Sequence, residues 1–177
     1  MKKLCITILF TVVIVTGKCF SQSYLGSITS QANVLWEPES NSRKVTTLDS
    51  GRQIFIDSLI TKNDFCYIID IGTNNEGYVH KDYVLVDQPL QIDEGQIFTI
   101  TGEGPSVNPE LEIINKTSKA IVLKLNNQIY LLQPSQKSKI SLEPGRYKCL
   151  VSAPGVVPYI GIAELQENLS NRWAFSY

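Results

Sequence analysis

Phe65-Cys66-Tyr67-Ile68-Ile69-Asp70-Ile71 decides the fold class. Phe65, Tyr67, Ile69 and Ile71 fall on one face of an extended chain, and Cys66, Ile68 and Asp70 fall on the other. A period of two is the signature of a β-strand, and aromatic and β-branched residues suit its pleated surface. The next residues, Gly72-Thr73-Asn74-Asn75-Glu76-Gly77, tolerate positive φ and end the strand. Working outward, the same alternation returns: Ile121, Leu123 and Leu125 against Val122 and Lys124, then Tyr147, Cys149 and Val151 against Lys148 and Leu150. Asp49-Ser50-Gly51, Asn126-Asn127, Glu143-Pro144-Gly145 and Ala153-Pro154-Gly155 supply further turns. Asn126-Asn127 reads as a two-residue hairpin loop. The best helical candidate, residues 162–169, is short, and the strand-like Trp173-Ala174-Phe175 follows it closely. The chain reads as all-β.

The strand pattern breaks at Asp87-Gln88-Pro89 and again between Gly102 and Pro109. A boundary near Pro89 gives two modules, residues 22–88 and 89–177. Candidate strands of the second module are 96–101, 111–115, 120–125, 128–132, 138–142, 146–152, 159–165 and 172–176. Their number and spacing predict an antiparallel β-sandwich. Trp173, Phe175 and Tyr177 share one face of the last strand and are expected to anchor its core. Modules this small are marginal alone, so packing of one on the other would stabilise both.

The beginning of the chain sets the compartment. Lys2 and Lys3 precede an apolar run to Val15, and the small or polar Thr16-Gly17-Lys18-Cys19-Phe20-Ser21 follows. This is the pattern of a secretory signal peptide over residues 1–21, with Cys19 and Ser21 at the small-residue positions before the cut. The apolar run is well short of the ~20 residues that span a bilayer as a helix. A lipid anchor on Cys19 is the competing reading, but Lys18 sits where such a signal wants a small residue. Export to the periplasm or cell surface is therefore expected, with no membrane span left in the mature chain.

Sixteen basic side chains stand against seventeen acidic ones. Losing Lys2, Lys3 and Lys18 leaves thirteen against the same seventeen, a charge of −4. Such a chain has no basic surplus to neutralise phosphates, which argues against a nucleic-acid partner. Of the four cysteines only Cys66 and Cys149 survive the cut. One disulfide between them is open in an oxidising compartment, but they fall in different modules. Neither a CxxC spacing nor a Cys-His cluster is present, so no metal and no cofactor is indicated.

The first module resembles the bacterial SH3-like domain, a small barrel of exported and often cell-wall-associated proteins. Ala32-Asn33-Val34-Leu35-Trp36 takes the place of the family's Asn-Val-Arg strand, with Leu35 where the arginine stands. Glu37-Pro38-Glu39-Ser40-Asn41-Ser42 matches the following polar loop, and residues 45–51 match the aliphatic run into a Gly turn. Gly77-Tyr78-Val79-His80-Lys81-Asp82-Tyr83-Val84 is similar to the closing Gly-aromatic-Val strand, polar turn and Tyr-aliphatic pair. The aromatic expected near Cys66 is displaced to Phe65 or Tyr67. The resemblance, over residues 24–86, implies a ligand groove lined by Trp36, Tyr78 and Tyr83. Packing in the core or rim is the competing role for all three. Glu143-Pro144-Gly145-Arg146-Tyr147 and Ala153-Pro154-Gly155 are similar to turns of PEGA-like and other surface-associated sandwich modules, which implies an accessory or adhesive role.

Catalytic sets are few to weigh. The single histidine is His80, beside Lys81 and Asp82 in a turn, and any Cys-His hydrolase would pair it with Cys66. The acid pairs Asp93-Glu94 and Glu110/Glu112 read as solvated charges, and Asn115-Lys116-Thr117 and Asn168-Leu169-Ser170 as sequons of little weight. The expectation is a non-catalytic binding protein of the bacterial cell envelope that holds a cell-wall peptide or glycan, or else another envelope protein.

Overall fold

A computed structural model of the chain describes residues 22–176. The expected signal peptide at 1–21, Cys19 within it, and Tyr177 lie outside the described residues. Among the described residues, fifteen β-strands and a single 3-10 turn at Lys81–Tyr83 make up the regular structure, which is all-β.

The first seven strands are β1 (Tyr24–Ile28), β2 (Ala32–Leu35), β3 (Lys44–Leu48), β4 (Gln53–Ile56), β5 (Phe65–Asp70), β6 (Glu76–His80) and β7 (Val84–Pro89). They form one antiparallel sheet in the order β3-β2-β6-β5-β4-β1-β7. The period-two reading of β5 fixes its faces. Cys66 and Ile68 join Ile28, Val34, Leu48, Ile54, Ile56 and Val79 in one buried core, so six strands bend around a common interior. Phe65, Tyr67 and Ile69 point the other way.

The expected small barrel is not closed: the edge strands β3 and β7 do not hydrogen-bond to each other. β7 ends in Pro89, which has no N–H to continue a ladder, and its side chains are exposed beyond Val84. β6 lies so close to β2 that a Cβ on Gly77 would strike the Leu35 carbonyl oxygen and come within 2.8 Å of Val34 Cγ1. Only glycine permits that approach.

The remaining strands are β8 (Thr99–Glu103), β9 (Glu110–Asn115), β10 (Ile121–Leu125), β11 (Gln128–Leu132), β12 (Lys137–Ser141), β13 (Gly145–Ala153), β14 (Val156–Leu165) and β15 (Leu169–Phe175). All eight segments expected here are strands, their ends shifted by up to three residues. They make two four-stranded sheets, β11-β10-β13-β14 and β12-β9-β15-β8. Leu123, Leu125, Cys149, Val151 and Leu165 of one sheet share a core with Leu111, Ile113 and Trp173 of the other. Asn126, at φ 52°, opens the hairpin in which Leu125 faces Gln128. Pro154-Gly155 joins β13 to β14, with Gly155 at φ 73° in the position where a type II turn demands it.

One pair departs from the expected antiparallel arrangement. β15 runs parallel to β9, with Trp173 opposite Ile113. A parallel pair needs a long crossover, and five intervening strands supply it. β15 also pairs with β8, so the last strand is flanked on both sides.

Part of the outer face of the first sheet is covered. Phe55 and Ile69 pack against Leu150 and Ile160, with Tyr67, Leu90 and Ile92 around them. Lys124 Nζ lies 2.6 Å from Glu76 Oε2 and 2.9 Å from the Tyr67 hydroxyl, and Lys148 Nζ lies 2.7 Å from Asp57 Oδ1. The Gly155 N–H donates to the Ile71 carbonyl at 2.6 Å. The connecting segment is clipped at both ends: Leu90 N–H donates to Ser23 O, while Asp93 exchanges main-chain bonds with Ile160 and Ile162.

Candidate functional site

The alternation of β5 and β6 sets the site. Phe65 lies opposite His80 across the ladder, and both project from the outer face at the open end of the strands. Their rings meet edge-on at 5.2 Å, and His80 meets Tyr83 edge-on at 6.3 Å. His80 also caps the 3-10 turn: its Nδ1 accepts the Asp82 N–H at 3.4 Å, so the chain reverses and brings Tyr83 back beside it.

Beside this aromatic trio runs an open groove of about 450 Å³, lined also by Gln31, Asn33, Leu35, Ser40, Thr47 and Asp82. The Thr47 hydroxyl donates to Asn33 Oδ1 at 3.0 Å across the β2–β3 pair, and Gln31 Nε2 donates to Asp49 Oδ1 at 3.1 Å. Ring edges on one wall and amides and hydroxyls on the other suit a ligand with both an apolar face and hydrogen-bonding groups.

Of the three residues named from the sequence, Tyr83 lines this groove and is 41% exposed. Trp36 is 61% exposed and lies outside the lining, its ring covered by the Arg43 guanidinium at 5.0 Å. Tyr78 is half-buried and turns its ring to Tyr67 at 5.3 Å, toward the cluster of Phe55, Ile69, Leu150 and Ile160. The geometry therefore does not bring the three together. Phe65, Gln31, Asn33 and Thr47 were not named for the groove from the sequence, although Phe65 was one of two positions offered for the family's aromatic. Asn33 and His80 stand within the motifs quoted, but the pairing of Phe65 with His80 depends on strand register.

Cys66 and His80 occupy opposite faces of the sheet, Cys66 in the interior and His80 in the groove. They form no nucleophile–base pair. Burial pushes the Cys66 thiol up, against a smaller opposing pull from Lys81, whereas a reactive thiolate needs the reverse. Cys149, in the core between the two four-stranded sheets, is pushed up to about 12 by burial. Both thiols are free, each in its own core.

Among the described residues no three His, Cys, Asp or Glu side chains gather closely enough to hold a metal ion. Glu110 and Glu112 pair with Lys139 and Arg172 at 3.1 and 2.6 Å, and Asp93 accepts the Tyr159 hydroxyl at 2.9 Å. Asn115 of the first sequon is fully buried, its Nδ2 donating to the carbonyls of Lys119, Leu132 and Gln133. No protein-family model, curated protein or solved structure matches the chain.

Proposed function

We propose that this chain is an exported, non-catalytic binding protein of the bacterial cell envelope. Residues 24–86 act as an SH3-like module that holds a cell-wall peptide or glycan, and the last eight strands form a β-sandwich carrying it. The observation that carries the reading is the groove, in which Phe65, His80 and Tyr83 face the amides and hydroxyls of Gln31, Asn33 and Thr47. An aromatic side chain offers a large contact area at little entropic cost, and flanking hydrogen-bonding groups fix orientation. The expected leader supports a place outside the cytoplasm, and the mature charge of −4 argues against a nucleic-acid partner.

The test is sedimentation with purified peptidoglycan. The mature protein should co-sediment, and Tyr83→Ala should weaken retention about tenfold, the scale of ~1.4 kcal/mol for one lost aromatic contact. Trp36→Ala, outside the groove, should bind as the parent does. Retention no better than on an inert particle, or equal loss in both variants, would defeat the reading.

A second reading, a protein-interaction subunit, draws on edge strand β11. Ile129 and Leu131 are 61% and 59% exposed there, and no charge or proline interrupts the strand. Sedimentation velocity alone and with envelope extract separates the two. A monomer without partners disfavours this one.

A further inference from the structure

We infer that the exported chain begins at Gln22 and that this glutamine closes on its own α-amino group to give pyroglutamate. The inference rests on the export reading above, and adds to it a covalent modification of the mature N-terminus.

Two independent observations converge on Gln22. The leader pattern, with Cys19 and Ser21 at the small-residue positions, puts the scissile bond between Ser21 and Gln22. The residue after Gln22 is anchored in the fold. Ser23 is fully buried, its hydroxyl donates to the Asp57 carbonyl at 2.8 Å, and its own carbonyl accepts the Leu90 N–H at 2.8 Å. Tyr24 then opens β1. A cut beyond Ser23 would remove a residue that ties the first strand to the connecting segment. A cut at Ser21–Gln22 removes the leader and leaves every one of these contacts intact.

The chemistry needs only what that cut produces. The freed amine of Gln22 is placed by covalent geometry to form a five-membered ring with its own side-chain carboxamide. An α-amino group titrates near ~8, so part of it is neutral and nucleophilic at physiological pH. Its nitrogen attacks Cδ and a new N–Cδ bond forms. The Cδ–Nε2 bond breaks, and the departing nitrogen takes up the proton that the amine gives up and leaves as ammonia. No oxidant, reductant or cofactor enters the balance.

The structure also shows what the closure costs. Gln22 is exposed, and its side chain folds back so that Nε2 donates to the Ser23 carbonyl at 2.9 Å and to the Leu90 carbonyl at 2.5 Å. Those two bonds belong to the open form and disappear with the ammonia. The main-chain bond from Leu90 to Ser23 does not involve the side chain, so the strand remains docked. The positive charge of the terminus is lost.

The experiment is intact-mass measurement and N-terminal peptide sequencing of the mature protein isolated from its producing cells. The expected result is a chain that starts at Gln22, lighter by one ammonia and refractory to stepwise degradation from the amino end. A Gln22→Asn variant, whose shorter side chain would need a strained four-membered ring, should be cut at the same bond and keep a free amine. A chain starting at Gln22 with an unblocked amine overturns the modification and leaves export standing. A chain starting at a lipid-bearing Cys19 or at any other residue overturns it likewise. A retained leader overturns both this inference and the export reading.

Discussion

Asp70 is fully buried at the end of β5 and is the residue on which the turn after that strand depends. Arg52 binds it through Nε at 2.6 Å and Nη2 at 3.0 Å, while the N–H groups of Gly72 and Thr73 and the Thr73 hydroxyl donate to the same carboxylate. Burial pushes this carboxyl up, but the bonds from Arg52, Thr73 and Gly72 together outweigh it and hold the group below the ordinary range. A carboxyl whose folded pKa is depressed contributes stability above its unfolded value of ~3.9, and loses it as pH falls through the folded one. Asp70→Asn is therefore expected to lower stability by about 2 kcal/mol at neutral pH, because the amide cannot accept from all five donors and leaves some of them bare. Arg52 is 41% exposed and keeps its water, which holds the loss to that size. The difference between parent and variant should shrink as the pH is lowered below about 4. Urea melts at pH 7 and pH 3 read both effects, and an equal difference at the two pH values would refute the assignment.

At the scale of the element, β6 is the clearest case of one small residue setting a strand pairing. β2 and β6 share the register Leu35–Tyr78, and Gly77 is where their main chains come closest. Gly77→Ala puts a methyl group into the Leu35 carbonyl, and neither backbone can retreat without moving its own sheet neighbour. A loss of about 2–3 kcal/mol is expected, the range for overpacking against an unyielding wall. Hydrogen exchange should show the protection of β2 and β6 falling before that of β10 and β13, whereas uniform loss would argue against a local clash. This glycine was legible in the sequence as the head of a strand, and the strands themselves were legible because a period of two over four to ten residues needs no tertiary information. Register was not. The neighbours of Phe65 are decided by how β5 slides on β6, and nothing in either segment alone states it. Thus Phe65 and Asn33 line the groove beside Tyr83 without having been named for it, and Tyr78, on the same face of β6 as His80, meets Tyr67 instead. The parallel pairing of β9 with β15 escaped for the same reason, since it joins segments separated by five other strands.

For the whole molecule, the decisive feature is that the first seven strands and the last eight, the two modules expected from the sequence, meet across the outer face of the first sheet. Leu150 and Ile160 of the second module bury Phe55 and Ile69 of the first, all four less than a tenth exposed. Lys124 and Lys148 are 15% and 20% exposed, and each meets a carboxylate of the first module, Glu76 and Asp57. Charges this sheltered are costly to leave without a partner, so separating the modules would expose apolar area and also cost both ion pairs their partly desolvated partners. Each module is small enough that its own core leaves little margin. The two should therefore melt together, in one calorimetric transition whose van't Hoff and calorimetric enthalpies agree. Ile160→Asp tests this at its most sensitive point. It places a carboxylate against Phe55 and Ile69 with no cation at hand in that cluster, which costs several kcal/mol unless the faces part and admit water. Parting is the expected outcome, because the core of the second module, built from Leu123, Leu125, Val151 and Trp173, lies on the opposite face of β14's sheet and is untouched by the change. The variant should show two transitions, the lower one belonging to the first seven strands, with Tyr67 and Tyr78 gaining solvent exposure before it. A parent that already melts in two steps, or an Ile160→Asp variant that still melts in one at an unchanged midpoint, would mean that the contact face contributes nothing to cooperativity.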